Sequence, residues 1–206
     1  MTHISRCLAK VARLALGLSV AAGLAGCAGS GKIEPQAAVA PPMRWDQHPE
    51  APVWTTSTMN AVTTKDADLA EKIPADIETW CPGYADADME DRRSFWVAML
   101  STVAKYESSW NQTAAGGGGR WIGLMQISPR SAEYYGCGAT SVVALKDGPA
   151  NLQCAVEIAS EQVAKDGLVA GDGTRGFGRD WAPLRDDAKR AEMASWTKAQ
   201  PYCMAG

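Results

Sequence analysis

The chain has 206 residues, with 20 basic and 23 acidic side chains and a formal net charge of −3. No stripe rich in lysine and arginine runs along it, so we expect no nucleic-acid partner. The two histidines, His3 and His48, both precede the region predicted below to fold. This excludes nucleophiles activated by histidine and catalytic metals bound by histidine, and we expect neither a cofactor nor a metal. Proton transfer near neutral pH is then left to a carboxyl group with a raised pKa.

Residues 1–26 have the pattern of an export signal. Three basic residues and no acidic one accompany an apolar stretch over residues 14–24, which is too short to span a bilayer. The sequence Leu-Ala-Gly-Cys at residues 24–27 resembles the lipobox of bacterial lipoproteins. That resemblance implies cleavage before Cys27, acylation of Cys27, and a mature chain with 17 basic and 23 acidic residues, a formal charge of −6. An ordinary secretory signal is the alternative.

We predict that residues 27–65 form a flexible tether between the lipid anchor and a folded domain. They are rich in alanine, proline and threonine and lack helical or strand periodicity. Such a tether could reach on the order of 100 Å, but it leaves Trp45 and Trp54 unexplained. Ala28 stands where enteric bacteria use aspartate for inner-membrane retention. We therefore expect a periplasmic protein anchored to the outer membrane.

Residues 66–206 are enough for one domain with its own core. The longest helix is predicted to follow the N-cap residue Asp88 and to run to about Ser108. Proline at the start and glycine past the end predict two further helices, one from Pro129 or Arg130 to about Gly136 and one that starts after Gly148-Pro149 and ends before Lys165-Asp166-Gly167. A last helix is predicted from Pro183 to Ala199, where Pro201 stops it. Strand signals are sparse. The predicted fold class is mainly α, an α+β domain with at most a small β-hairpin near residues 113–128.

Four cysteines follow Cys27, and an even number in an exported chain indicates two disulfides. Three pairings are possible. We favour Cys137 with Cys154, which flank a short loop, and Cys81 with Cys203, which would connect the start of the domain to its end. A structural zinc site is the alternative, but the spacing contains no Cys-x-x-Cys pair.

Glu107 is the candidate catalytic residue. It lies on the same predicted helical face as Trp96, Leu100 and Val103. Burial on this face and the negative end of the helix dipole both favour the neutral carboxylic acid. An acid that keeps its proton can protonate a leaving oxygen, as glycoside cleavage requires.

The sequence Glu-Ser at residues 107–108, followed by Gly-Leu-Met-Gln-Ile at residues 123–127, resembles the soluble lytic transglycosylase family within the goose-type lysozyme superfamily. The resemblance implies a lysozyme-like fold with a catalytic cleft. It also implies that the substrate is the glycan strand of bacterial peptidoglycan, cut between N-acetylmuramic acid and N-acetylglucosamine. Glu107 would protonate the bridging oxygen. As a carboxylate it would then accept a proton from the muramic 6-hydroxyl, which attacks its own anomeric carbon to give a 1,6-anhydro end.

The candidate substrate-binding residues are Ser108, Trp110, Trp121, Gly123, Leu124, Met125, Gln126 and Tyr202. Ser108 and Gln126 offer hydrogen-bonding groups, and the two tryptophans offer faces on which sugars can stack. Packing around the hairpin explains the tryptophans equally well. Gly123 would let the backbone approach a sugar closely, while Leu124 and Met125 could line the pocket or the core.

The chain departs from the family in one respect, because it has no Ala-Tyr-Asn segment to supply a tyrosine to the cleft. Tyr202, Trp181 and Tyr135 are the candidates to replace it. The departure keeps two alternatives open. One is a hydrolase that uses Asp172 or Asp180 to orient water, and the other is a peptidoglycan-binding lipoprotein without activity. The sequence leaves open whether the protein also binds a wall-spanning assembly.

Overall fold

The computed structural model describes residues 40–204, which belong to one compact unit. Its helices and strands are α1 (Ala51–Thr63), α2 (Ile77–Trp80), α3 (Met89–Ser108), β1 (Ala115–Gly116), β2 (Trp121–Ile122), α4 (Pro129–Tyr134), α5 (Gly148–Asp166) and α6 (Asp187–Lys198). The two strands pair antiparallel. Short 3-10 turns fill much of the chain between α5 and α6. None of the described helices is long and apolar enough to cross a membrane.

The predicted tether is wrong over residues 40–65, which belong to the folded unit. Helix α1 packs against α3 and α5, with a proline in its first turn. Trp45 and Trp54 are fully buried with their rings 5.9 Å apart, and Trp45 donates a hydrogen bond of 2.9 Å to Thr55. Burying two indoles favours the folded arrangement by several kcal/mol, on the order expected for large aromatic side chains. Residues 27–39 lie outside the described part of the chain.

The earlier start of the domain also corrects the prediction that it contains no histidine. His48 is half-buried, and its ring lies 5.6 Å from the rings of both Trp54 and Trp110. It does not line the cleft described below. Histidine chemistry is therefore excluded because His48 lies away from the cleft, and not because the domain lacks histidine.

Helix α3 runs through the centre of the domain and begins and ends as predicted. The Asp88 side chain caps it by accepting hydrogen bonds of 2.9 Å from the backbone N–H groups of Glu90 and Asp91. Side chains from Ser94 to Ala104 are buried. The helix ends where Ser109 adopts a left-handed conformation with φ of 52°. A buried helix of this length gives its last turn a fixed position inside the domain.

The helices predicted after α3 agree closely with α4 and α5, although α5 already begins at Gly148. Helix α2 was not predicted, and α6 differs from its prediction at the start. That helix begins at Asp187 instead of Pro183, because Asp186 caps it through a 3.0 Å hydrogen bond from the Lys189 backbone N–H. Pro183 lies in a separate 3-10 turn. Pro183 predicts a helix boundary, but a capping aspartate three residues later provides a better start.

Both predicted disulfides are confirmed, Cys81–Cys203 and Cys137–Cys154. The paired cysteines are separated by 122 and 17 residues in the sequence, respectively. Loop-closure entropy predicts that replacing both cysteines of the first pair with alanine lowers the free energy of unfolding by about 5 kcal/mol, against about 3 kcal/mol for the second. Urea unfolding of the two double variants measures both values. Equal losses would contradict the entropic explanation.

Candidate active site

Glu107 lies in the last turn of α3, half-buried at the wall of a cleft of about 350 Å³. The cleft is lined by Glu107, Trp121, Gln126, Asp180, Trp181, Ala182 and Arg185. These residues come from the end of α3, from the hairpin and the loop after it, and from the 3-10 turns before α6. The fold thus places a carboxyl group, an aromatic face, an amide and a guanidinium around one space.

The surroundings of Glu107 favour its neutral form. Burial raises the pKa of its carboxyl group from 4.5 to about 7, and the positive charge of Lys189 opposes this only in part. Within residues 40–204, no donor is hydrogen-bonded to this carboxyl. A large fraction of the group is therefore protonated at neutral pH, as a general acid requires.

The loop of residues 123–126 is held in place by Asn151, which is fully buried on α5. The Asn151 amide accepts from the Met125 backbone N–H at 2.9 Å and donates to the carbonyl groups of Ile122 and Leu145 at 3.0 Å each. Sequence reasoning gave this residue no role of its own. An asparagine at the start of a helix is an ordinary feature, and only the fold brings it beside the loop.

Three residues of the loop that were candidates for substrate binding, Gly123, Leu124 and Met125, do not line the cleft. For Leu124 and Met125 the core was the alternative considered. Leu124 and Met125 are fully buried in the core. Gly123 has a φ of 79°, and a Cβ atom there would lie 2.3 Å from the Leu145 carbonyl oxygen and 2.4 Å from the Asn151 amide nitrogen. The glycine is therefore required by packing against α5 and its preceding turn, and not by the approach of a sugar.

Gln126 is the residue of this loop that does line the cleft. It is half-buried, its φ is 49°, and its Nε2 donates to the Gly123 carbonyl at 2.9 Å. The Oε1 atom lies 2.4 Å from where a Cβ on Gly116 would be. A left-handed conformation is unusual for glutamine and fixes the direction of its side chain. The position agrees with the predicted substrate-binding role.

Ser108 does not point a free hydroxyl group at the cleft. Its Oγ donates to the Leu124 carbonyl at 2.9 Å and lies 3.3 Å from the Ala104 carbonyl. This contact ties the end of α3 to the loop after the hairpin. Ser108 therefore positions the backbone beside Glu107, and the prediction that it contacts substrate is corrected.

The two tryptophans that flank the hairpin differ in position. Trp121 is 44% exposed, lines the cleft, and packs over Gly117, where a Cβ would meet its ring at 2.2 Å. Trp110 is half-buried, donates from its ring nitrogen to the Ser101 carbonyl at 2.9 Å, and lines a different pocket beside His48. Trp121 is placed to stack on a sugar, whereas Trp110 packs outside the cleft, in agreement with the alternative considered for it.

Tyr202 lies far from the cleft, so its predicted role is wrong. Its hydroxyl donates to the Pro42 carbonyl at 2.9 Å, and it lies in a pocket with Asp88 and Asp91 at the N-terminal end of α3. Glu107 is at the other end of this helix, about 25 Å away at 1.5 Å per residue. The disulfide at Cys203 keeps Tyr202 in this position.

Trp181 and Asp180 occupy the cleft wall instead. Trp181 is buried against the loop, and its ring nitrogen donates to the Met125 carbonyl at 3.1 Å. Asp180 is exposed in the cleft, while Asp172 lies outside it and accepts hydrogen bonds from Thr174. Of the two aspartates considered as partners of Glu107, the structure thus brings only Asp180 to the site.

The cleft presents no metal-binding arrangement, since no group of three or more histidine, cysteine, aspartate or glutamate side chains within residues 40–204 could hold a metal ion. Cys27, the predicted lipidation site, lies outside the described residues. The chemistry that the cleft can offer is therefore that of a proton-bearing carboxyl group, a second carboxylate and hydrogen-bonding side chains.

Comparison with known proteins gives a family and a fold. The transglycosylase SLT domain family matches residues 87–167, and no curated protein matches the chain. Solved structures of Bd0314 DslA are similar along almost their whole length. The wild-type form 2 has 30% sequence identity and a TM-score of 0.70, with 79% of this chain and 97% of that chain covered. A Glu-to-Gln mutant has 29% identity and a TM-score of 0.72, with 80% and 98% covered. The mainly helical, lysozyme-like fold predicted from the sequence is confirmed.

Proposed function

Because the chain belongs to the transglycosylase SLT domain family, whose members act on peptidoglycan, we propose that it is a lytic transglycosylase with Glu107 as its catalytic acid and base. The family match supports the class of substrate and reaction. The observation that carries the assignment of Glu107 is its half-buried carboxyl in the cleft, with a pKa of about 7.

The proposed reaction consumes no water. The protonated carboxyl of Glu107 gives its proton to the oxygen that bridges N-acetylmuramic acid and N-acetylglucosamine, and the glycosidic bond breaks. The resulting carboxylate takes the proton of the muramic 6-hydroxyl, whose oxygen bonds to the anomeric carbon and closes the 1,6-anhydro ring. Glu107 ends the cycle protonated again. The acetamido group of the substrate can stabilise the cationic transition state, so a second protein carboxylate is not required.

Hydrolysis of the same bond is the second candidate, and the position of Asp180 in the cleft favours it. A carboxylate opposite the acid can orient water toward the anomeric carbon. The products separate the two reactions. Mass spectrometry of digested peptidoglycan should find anhydro-muramic ends, which are lighter by one water than reducing ends. Reducing ends would assign hydrolysis, and a folded, fully oxidised protein that releases no fragments would overturn both assignments.

The pH dependence of cleavage should follow the protonation of Glu107. Since the first step needs the protonated acid, kcat/KM should decrease as the pH rises through about 7. A pH–rate profile on purified glycan strands measures this. A profile that instead decreases above pH 4.5, the ordinary pKa of the carboxyl, would show that burial does not hold the proton in the working enzyme.

We also propose that Cys27 carries a lipid and anchors the protein to the outer membrane, on the basis of the lipobox-like residues 24–27. Since the folded unit begins by residue 40, only the 12 residues 28–39 separate it from the anchor. Their full extension is about 40 Å, less than half of the reach predicted above. The Cys27→Ala variant should move from the membrane fraction to the soluble periplasmic fraction. Unchanged fractionation would contradict the anchor.

A further inference from the structure

Lys189 is a charged residue of α6 whose electrostatic effect reaches Glu107. Its positive charge opposes the effect of burial on the Glu107 carboxyl, although Lys189 does not line the cleft. Asp180 and Arg185 do line the cleft and have charges of opposite sign, but of the charged groups in residues 40–204 Lys189 is the one that shifts the pKa of Glu107. Lys189 lies beyond the part of the chain that matches the family model, so the family-like motifs give no sign of this charge.

The ring of Tyr106 supports the ammonium group of Lys189. Tyr106 precedes Glu107 in the last turn of α3, and Lys189 Nζ lies 5.7 Å from the centroid of its ring. A cation at this distance is attracted by the negative face of an aromatic ring. The Lys189 ammonium also lies 3.9 Å from Asp186 Oδ2, at the start of its own helix. These two contacts hold the ammonium group against the last turn of α3.

Glu192 of α6 fixes the Tyr106 ring in turn. Its Oε2 accepts a hydrogen bond of 2.7 Å from the Tyr106 hydroxyl, while Arg44 and Lys105 also donate to the carboxylate. The bonds from these partners, Arg44 foremost, lower the pKa of Glu192 to about 2. Burial and the Glu192 carboxylate raise the pKa of Tyr106 to about 12. At neutral pH Glu192 is therefore ionised and Tyr106 neutral, so neither changes its charge in the range in which the acid works.

The ionised form of Glu107 is the state in which a nearby cation matters. In the proposed reaction Glu107 is a carboxylate between giving its proton to the bridging oxygen and taking the muramic proton. Burial makes this form costly. A positive charge nearby stabilises the carboxylate and has little effect on the neutral acid, so it makes the proton easier to give. An acid that holds its proton too firmly protonates a leaving oxygen slowly.

Resting on the proposed function, we propose that Lys189 is a positioning residue that acts through Glu107 by stabilising its carboxylate while the glycosidic bond breaks. Tyr106 and Glu192 keep the ammonium group in place. Because Lys189 lies outside the cleft lining, it contributes its charge and no contact with the glycan. Arginine should therefore substitute for it, and glutamine should not.

The pH–rate profile of Lys189→Gln on purified glycan strands tests this. At acidic pH, where Glu107 is protonated in both proteins, kcat/KM should be about threefold lower than in wild type, the size of one partly screened charge interaction. The decrease with rising pH should begin at a higher pH than in wild type, because the carboxyl keeps its proton more firmly without the cation. A profile that is lowered but not displaced would show a structural role only and would overturn the inference.

Two variants serve as controls for the charge. Lys189→Arg keeps the charge and should restore the position of the decrease and most of the rate. Lys198→Gln removes the same charge from an exposed position in the last turn of α6, and it should not displace the profile. Equal displacement by Lys198→Gln and Lys189→Gln would mean that only net charge matters, which contradicts a specific role for Lys189.

Titration of the Glu107 carboxyl by carbon-13 NMR gives a second test that needs no turnover. Its midpoint should be higher in Lys189→Gln than in wild type, and Lys189→Arg should restore it. Cleavage by wild type combined with an unchanged midpoint in Lys189→Gln removes only this inference. A displaced midpoint in a protein whose wild type releases no fragments removes only the proposed function.

Discussion

Replacing Glu107 with glutamine should reduce peptidoglycan cleavage by about 10³-fold, because the amide has the shape of the acid but can neither give nor take the proton. The measurement is the rate of release of soluble fragments from purified peptidoglycan. Ser109→Ala is a suitable control. Ser109 lies two residues after Glu107, is exposed, and does not line the cleft. A Glu107→Gln enzyme that keeps a tenth of the activity would exclude Glu107 as the catalytic acid.

The same substitution should not destabilise the fold, which separates chemistry from folding. A carboxyl whose pKa is 4.5 when unfolded and about 7 when folded binds more protons in the folded state between these values. The wild-type free energy of unfolding should therefore decrease as the pH rises from 4.5 through 7. Glutamine lacks this dependence. Urea unfolding at several pH values should find Glu107→Gln increasingly more stable than wild type across this range.

Replacing Asn151 with leucine should lower the free energy of unfolding by about 3–5 kcal/mol, since it leaves two buried backbone groups without partners. Those groups are the Met125 N–H and the Leu145 carbonyl, and the Ile122 carbonyl keeps only its bond from the Ile127 N–H. Urea unfolding followed by tryptophan fluorescence measures the loss. Cleavage should also decrease under conditions in which the variant is still folded, because Gln126 and the carbonyl that holds Trp181 belong to the same loop.

Gln153 provides the control for Asn151. It lies on the same helix, carries an amide and is exposed, with one hydrogen bond of 3.1 Å to Ser57. Gln153→Leu should change the free energy of unfolding by less than about 0.5 kcal/mol. Similar losses for both variants would show that the cost comes from the helix and not from the buried hydrogen bonds to the loop.

Local signals in the sequence were sufficient where one element determines its own limits. Asp88 caps α3, and the apolar spacing of that helix places Glu107 on the face of Trp96 and Leu100. The negative end of the helix dipole was expected to add to the pKa shift of Glu107. Burial is its leading physical cause in the structure.

The sequence was insufficient where the partner of a residue lies elsewhere in the chain. Prolines and threonines around α1 suggested a tether, although a proline is well placed in the first turn of a helix. Burial of Trp45 and Trp54, which makes α1 part of the domain, depends on α3 and α5. Local sequence contains no information about these contacts.

The roles of the motif residues could not be read from residue type. Gly123 and Ser108 belong to the family-like motifs, yet each serves the backbone around Glu107 through contacts with Asn151 and Leu124. Asp180 could not be distinguished from Asp172 in a loop rich in glycine and aspartate. Its position in the cleft and its hydrogen bonds with Tyr135 and Gln162 identify it in the structure.

The most direct measurement is the titration of the Glu107 carboxyl itself by carbon-13 NMR, with the resonance assigned by its absence in Glu107→Gln. A midpoint of about 7 is expected, because the group is half-buried in the cleft and receives no hydrogen bond from the described residues. A midpoint near 4.5 would mean that the side chain is solvated and ionised at neutral pH. In that case Glu107 could not supply the proton on which the proposed cleavage depends.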